Sequence, residues 1–171
     1  MVELGLQDLR AVTRYAAENA QEVLAIFEEC CPDDRRPRAA VEAAWAFADG
    51  AERTKLQRTS ALAAHKAAAE APTEAAREAA RAAGHAAAAA YLHPLAKPTQ
   101  VKHILGAAAH AARAAELAAG GDHGVGTAWI EQARRRATPA LVTVLRRYPA
   151  APSRGNRVTR LMSVLDTLLR S

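Results

Sequence analysis

Alanine occupies 46 of the 171 positions, with an unbroken run at Ala86–Ala90, and this excess decides most of what the chain can fold into. Alanine is the best helix former and is depleted in strands, while the residues that favour sheet are scarce, with 10 valines and 3 isoleucines. The expectation is an all-α fold. Only 40 residues carry an apolar side chain larger than alanine, so the core has to be made by helices that approach closely over small side chains. The length fits one domain, residues 1–171, which buries enough surface to fold without staples or metals.

Apolar spacings of three and four, read with capping and breaking residues, predict seven or eight helices in a compact bundle or array. The first runs from Leu6 to Cys30 and stops before Pro32, and Asp33-Asp34 offer a cap to the second, Arg35 to Ala48. Glu52 to Glu70 forms the third. Pro72-Thr73 closes it and caps the fourth, Thr73 to Leu92, whose alanine surface is crossed by one polar stripe of Glu74, Glu78, Arg81 and His85. Thr99 is expected to cap a fifth helix, Gln100 to Ala119, ended by Gly120-Gly121. Two shorter helices, Thr127 to Ala137 and Pro139 to Tyr148, then precede a last amphipathic one from Arg157 to Arg170. The helices 73–92 and 100–119 are expected to pack together at the centre.

Charge is unevenly distributed. The net charge is +5, but residues 1–52 carry −6, residues 53–130 +4 and residues 131–171 +7. A basic C-terminal third attracts an anionic partner, either nucleic acid or an acidic protein. Arginine outnumbers lysine 19 to 4, a bias that GC-rich coding also produces. Arg134, Arg135 and Arg136 have only Trp129 as an aromatic neighbour and no nucleic-acid motif around them, which disfavours nucleic acid as the partner. The chain has no long uncharged apolar stretch and no secretory pattern at Met1–Gly5, so no membrane association and a cytoplasmic location are expected. The adjacent Cys30 and Cys31 suit a reducing compartment. The oligomeric state is left open.

Glycine-rich phosphate loops, paired Cys-x-x-Cys and the common nucleophile and zinc signatures are missing, and no cofactor or metal is expected. The region Tyr91–His110 is the richest in chemistry. Gln100, His103 and His110 are expected on one helix face, with Gly106 or Ala107 leaving room between them, while Tyr91 and His93 stand at the preceding break and His65 or His85 could join from neighbouring helices. A step of seven residues is about 10.5 Å along the axis, too far for His103 and His110 to share one metal. The candidate ligand-binding residues are therefore Tyr91, His93, Gln100, His103 and His110. Buried histidines bonded to carbonyls are the competing reading. Trp45, Phe47, Tyr91 and Trp129 read as plugs filling space that the alanines leave.

The block Tyr91-Leu92-His93-Pro94 followed by Gln100-Val101, His103-Ile104-Leu105-Gly106 and His110 resembles the Imm-5-like immunity proteins. So do Asp8-Leu9-Arg10 through Val23-Leu24 and Phe27-Glu28, and the stretch containing Gly50, Arg53, Thr54, Leu56 and His65. The resemblance covers about residues 6–148. It implies a small helical protein that protects its producer by binding a toxin or toxic metabolite without turnover. The alternative is a small helical enzyme of secondary metabolism in which one histidine acts as general base.

Overall fold

A computed structural model describes all 171 residues. The chain is all-α, with nine α-helices and no strand: α1 (Leu6–Gln21), α2 (Leu24–Cys30), α3 (Arg36–Ala48), α4 (Lys55–Glu70), α5 (Glu74–Ala88), α6 (Val101–Ala118), α7 (His123–Arg136), α8 (Pro139–Leu145) and α9 (Arg157–Arg170). Short 3₁₀ turns at Ala89–Tyr91 and Pro98–Gln100 flank the loop between α5 and α6.

Short-range chemistry explains most boundaries. Thr54 and Gln57 form a reciprocal capping box at the start of α4, the Leu56 amide donating to Thr54 Oγ1 and the Thr54 amide to Gln57 Oε1. Thr73, Thr138 and Asn156 accept from the amides of Ala76, Leu141 and Thr159 and so cap α5, α8 and α9. Asp34 accepts from the Arg36 amide at the start of α3. At the other end of α3, the side chain of Arg10 donates to the carbonyls of Phe47, Gly50 and Ala51, and that of Arg14 to the carbonyl of Ala48. These two cations on α1 satisfy the exposed C-terminal carbonyls of α3 and lock the two helices together.

Four expectations are corrected. The predicted helix from Leu6 to Cys30 is two, because the chain breaks at Glu22-Val23; Val23 stays fully buried and α2 turns to pack against α5. Thr99 does not cap α6. Pro98 starts a 3₁₀ turn, Gln100 takes the cap position with no side-chain bond, and α6 begins at Val101. Next, α7 starts at His123 and not at Thr127, since Asp122 accepts from the Gly124 amide and nucleates the helix four residues early. Finally, α8 ends at Leu145, short of Tyr148.

The central pair is α5 and α6. Ala79, Ala80, Ala82, Ala83, Ala86 and Ala87 on α5 and Ala107, Ala109, Ala111, Ala112 and Ala114 on α6 are almost completely buried. The helices α1, α2, α3 and α4 pack around α5, and α1, α7 and α9 around α6. One contiguous set of buried apolar residues runs from Val12 to Leu169. Its bulk comes from the outer helices and the start of α6: Phe27, Ile104, Leu105, Ile130, Leu141, Leu145 and Leu165 are sealed from solvent. Among the aromatic residues, Phe47 is a plug of the core, while Trp45 and Trp129 are half-buried against its edge.

Candidate functional site

The histidines form a column across three helices. His65 on α4 meets His85 on α5 edge to face, with ring centroids 5.2 Å apart and planes at 87°; His85 stacks on His110 of α6 at 4.7 Å and 17°. The His65 and His85 rings are each seated over a glycine of the next helix. A Cβ on Gly84 would come within 2.6 Å of His65 Nε2, and one on Gly106 within 3.0 Å of His85 Nδ1. Imidazoles thus fit an interface otherwise spaced for alanine because glycine supplies the missing volume.

Glu78 ends the column. His110 Nδ1 lies 2.5 Å from Glu78 Oε2, and Arg81 donates to Glu78 Oε1 at 2.6 Å. A carboxylate can only accept, so Nδ1 carries the hydrogen. Burial opposes ionisation of Glu78, but the bonds and charges of His110 and Arg81 outweigh it and hold the carboxyl below its ordinary range. Three histidines, His85, His65 and His103, are held neutral instead. Burial, reinforced by His110, His65, His103 and Lys102, pushes His85 well below its usual value; burial and then His110, Arg81 and Lys102 lower His65; burial and then Lys102 lower His103. The Nδ1 atoms of His85 and His103 are shut off from solvent without a hydrogen-bond partner.

At the α4 end of the column lies a shallow depression of about 180 Å³, lined by Arg58, Ala61, Leu62, His65, Ala88, Tyr91 and His103. Tyr91 donates to the Thr54 carbonyl at 2.6 Å and is held between two guanidiniums, Arg53 and Arg58, whose Cζ atoms lie 4.9 and 4.7 Å from its ring centroid. Leu62 on the rim is 66 % exposed, and Leu56, one α4 turn and a half before it, is 52 % exposed.

The five residues expected to bind a ligand are thus divided. Tyr91 and His103 share the depression, where His65 joins them. His110 belongs to the column with His85 and Glu78. His93 and Gln100 are engaged with each other and with the loop: Gln100 Oε1 accepts from the His93 amide at 3.1 Å, His93 Nδ1 accepts from the Leu95 amide at 3.2 Å, and the His93 carbonyl accepts from the Tyr148 hydroxyl at 2.8 Å. Gln100 stands at the N-cap of α6 with helical dihedrals, one turn before His103, but its side-chain oxygen is taken by the His93 amide.

Two acids escaped sequence reasoning. Glu78 was one member of the polar stripe on α5, but its partner His110 is 32 residues away. Glu116, fully buried on α6, accepts from Arg157 of α9 through both Nε and Nη2 and from Arg113 at 3.1 Å. The only local hint of it was Gly126, where a side chain would overlap the Glu116 carboxylate. No three of the histidine, cysteine, aspartate and glutamate side chains converge as a metal-ligand set, and no helix is long and apolar enough to cross a membrane.

Among known proteins, the family described as "Imm-5 like putative immunity protein" matches residues 3–139, which is α1 through α7 with the whole histidine column and the Tyr91–His103 depression. No curated protein and no solved structure matches the chain. The chain belongs to the Imm-5-like family of immunity proteins.

Proposed function

We propose that the protein confers protection by binding a toxin or toxic metabolite without chemical turnover, and that the face formed by α4, Tyr91 and the start of α6 makes the contact. The observation that carries this reading is the depression itself: an exposed leucine and a half-buried tyrosine clamped by two arginines, with His65 and His103 at its floor. Aromatic and arginine side chains held rigid beside an apolar rim are the groups that dominate binding energy at protein interfaces. At about 180 Å³ the depression is below the usual size of a substrate cleft, which suits one protruding side chain of a partner better than an enclosed reactant. Lys55, Lys66 and Lys102 are exposed on the same helices and give the face a positive character that favours an acidic partner.

A second reading rests on the contact between Glu78 and His110, since a carboxylate that fixes an imidazole is how a general base is oriented. The two readings differ in stoichiometry. With the cognate toxin, sought among the products of adjacent genes, protection by a binder saturates near a simple molar ratio and the toxin is recovered with unchanged mass. Tyr91→Ala and Leu62→Glu should each weaken protection tenfold or more while leaving the thermal melt intact. A toxin altered in mass at many turnovers per protein molecule would overturn the binding reading, and so would full protection by both variants.

A further inference from the structure

A second concave site lies on the opposite side of Glu78, where α5, α6 and the start of α9 meet. It encloses about 280 Å³ and is lined by Glu74, Arg77, Glu78, Arg81, Arg113, Leu117 and the Asn156–Val158 segment. Four guanidiniums surround it: Arg77, Arg81, Arg113 and Arg157. Arg113 and Arg157 are held by the buried Glu116, and Arg81 by Glu78, which His110 also contacts. Arg77 bonds only the Ala71 carbonyl, through Nε, and has no carboxylate at ion-pair distance. Its two terminal nitrogens stay free, as do Nε and one terminal nitrogen on each of Arg81 and Arg113. The carboxylates therefore work as struts that fix the arginines and leave donors over.

The charge balance points the same way. Four cations face Glu74, Glu78 and Glu116, so the cleft is net positive before His110 is counted. The first turn of α9, a 14-residue helix, adds the positive end of its dipole at Arg157 and Val158. Planar guanidiniums fixed by second partners and concave around a small volume are the arrangement that recognises tetrahedral oxyanions with paired hydrogen bonds. The volume falls just under the range of drug-sized ligand sites, so the ligand is compact.

We propose that this cleft binds a phosphate group, free or as a phosphate monoester, with Arg77, Arg81 and Arg113 as its principal donors and Arg157 as the wall that sets its depth. Arg157 lies outside the family match at residues 3–139, so the closed cleft depends on the C-terminal helix of this chain.

The test is a titration of the full chain with inorganic phosphate, pyrophosphate and adenosine monophosphate, each against sodium chloride of matched ionic strength, followed by amide shifts in two-dimensional NMR. Saturable shifts at Arg77, Arg113 and Asn156–Val158 are expected, weakened at least tenfold in Arg77→Gln and partly restored in Arg77→Lys. Tighter binding of the nucleotide than of inorganic phosphate would identify the ester as the ligand, and equal binding the free ion. Arg77 bonds a single carbonyl, that of Ala71, and no carboxylate, so its variants should fold; Arg81→Gln, read by the same shifts, is the second probe. No response beyond that of chloride would overturn the proposal, as would unweakened binding in both glutamine variants. A polyglutamate peptide moving the same amides where phosphate does not would overturn it as well, since the cleft would then be a contact for acidic protein.

Discussion

Replacing Gly126 with alanine in the first turn of α7 should destabilise the protein, although the same change in an ordinary helix interior stabilises by about 1 kcal/mol. The added methyl would overlap Oε2 and Cδ of Glu116 and come within 2.5 Å of its Cγ, where carbon atoms need about 3.5 Å or more. Glu116 has no free direction in which to move, being fully buried and bonded to Arg113 and Arg157. Either the carboxylate loses its arginines or α7 lifts from α6. Uncoupling a buried ion pair costs about 3 to 5 kcal/mol. The lower end applies, because both arginines are about a quarter exposed and can turn to water. After the gain in propensity, the net loss is about 2 kcal/mol, or about 4 to 8 °C in Tm for a chain of this length. Urea denaturation of Gly126→Ala in the native background and in a Glu116→Ala background measures the coupling. In the second background the methyl has room, and the change should stabilise by about 1 kcal/mol. Gly126→Ala at or above native stability, or an equal loss in both backgrounds, would refute the reasoning.

Two further outcomes follow from the core. Ala108→Leu, a buried position on α6, should overpack the core and cost about 1 to 3 kcal/mol in urea denaturation; native stability in that variant would contradict close packing there. Stability should also fall with acidification in two stages. His85 is held neutral below its ordinary value of 6.5, so the unfolded chain takes up a proton that the folded one refuses, and stability present above pH 6.5 declines as pH drops below it. Glu78 and Glu116 have folded values below their ordinary 4.5, so their contribution is intact above that pH and is lost as pH falls through the folded values. Denaturation at pH 7.5, 5.5 and 4.0 checks both stages, and His85→Asn should flatten the first; an unchanged first stage in that variant would assign it elsewhere.

What the sequence made legible was local. Alanine excess set the class, and Thr73 marked a helix start because a cap acts within three residues of itself. The break at Val23 was invisible, since Val12, Ala16, Ala20, Val23 and Phe27 keep one unbroken spacing across it. The start of α7 was hidden by Gly124 and Gly126, which lower helix propensity at just the point where Asp122 begins the helix. For the site, period placed His103 and His110 on α6 but could not show that one would line the depression and the other join the column, or that the Gln100 side chain would be held by the His93 amide. The pairings that give the molecule its chemistry join Glu78 to a residue 32 positions on and Glu116 to one 41 positions on. No local pattern encodes such distances; only the packing of α6 against α5 and α9 does.

That packing has a consequence for how the protein responds to what it binds. Alanine has no side-chain rotamers, so apart from His85, His110 and Glu78 the α5–α6 interface loses few on folding and holds few in reserve afterwards. A leucine core absorbs a disturbance by letting side chains hop between wells. Here that cushion is missing, and α5 and α6 can yield only by moving as rods. The depression beside Tyr91 and the arginine cleft beside Glu78 sit on those same two rods. A load applied at one is passed on as displacement rather than soaked up between them.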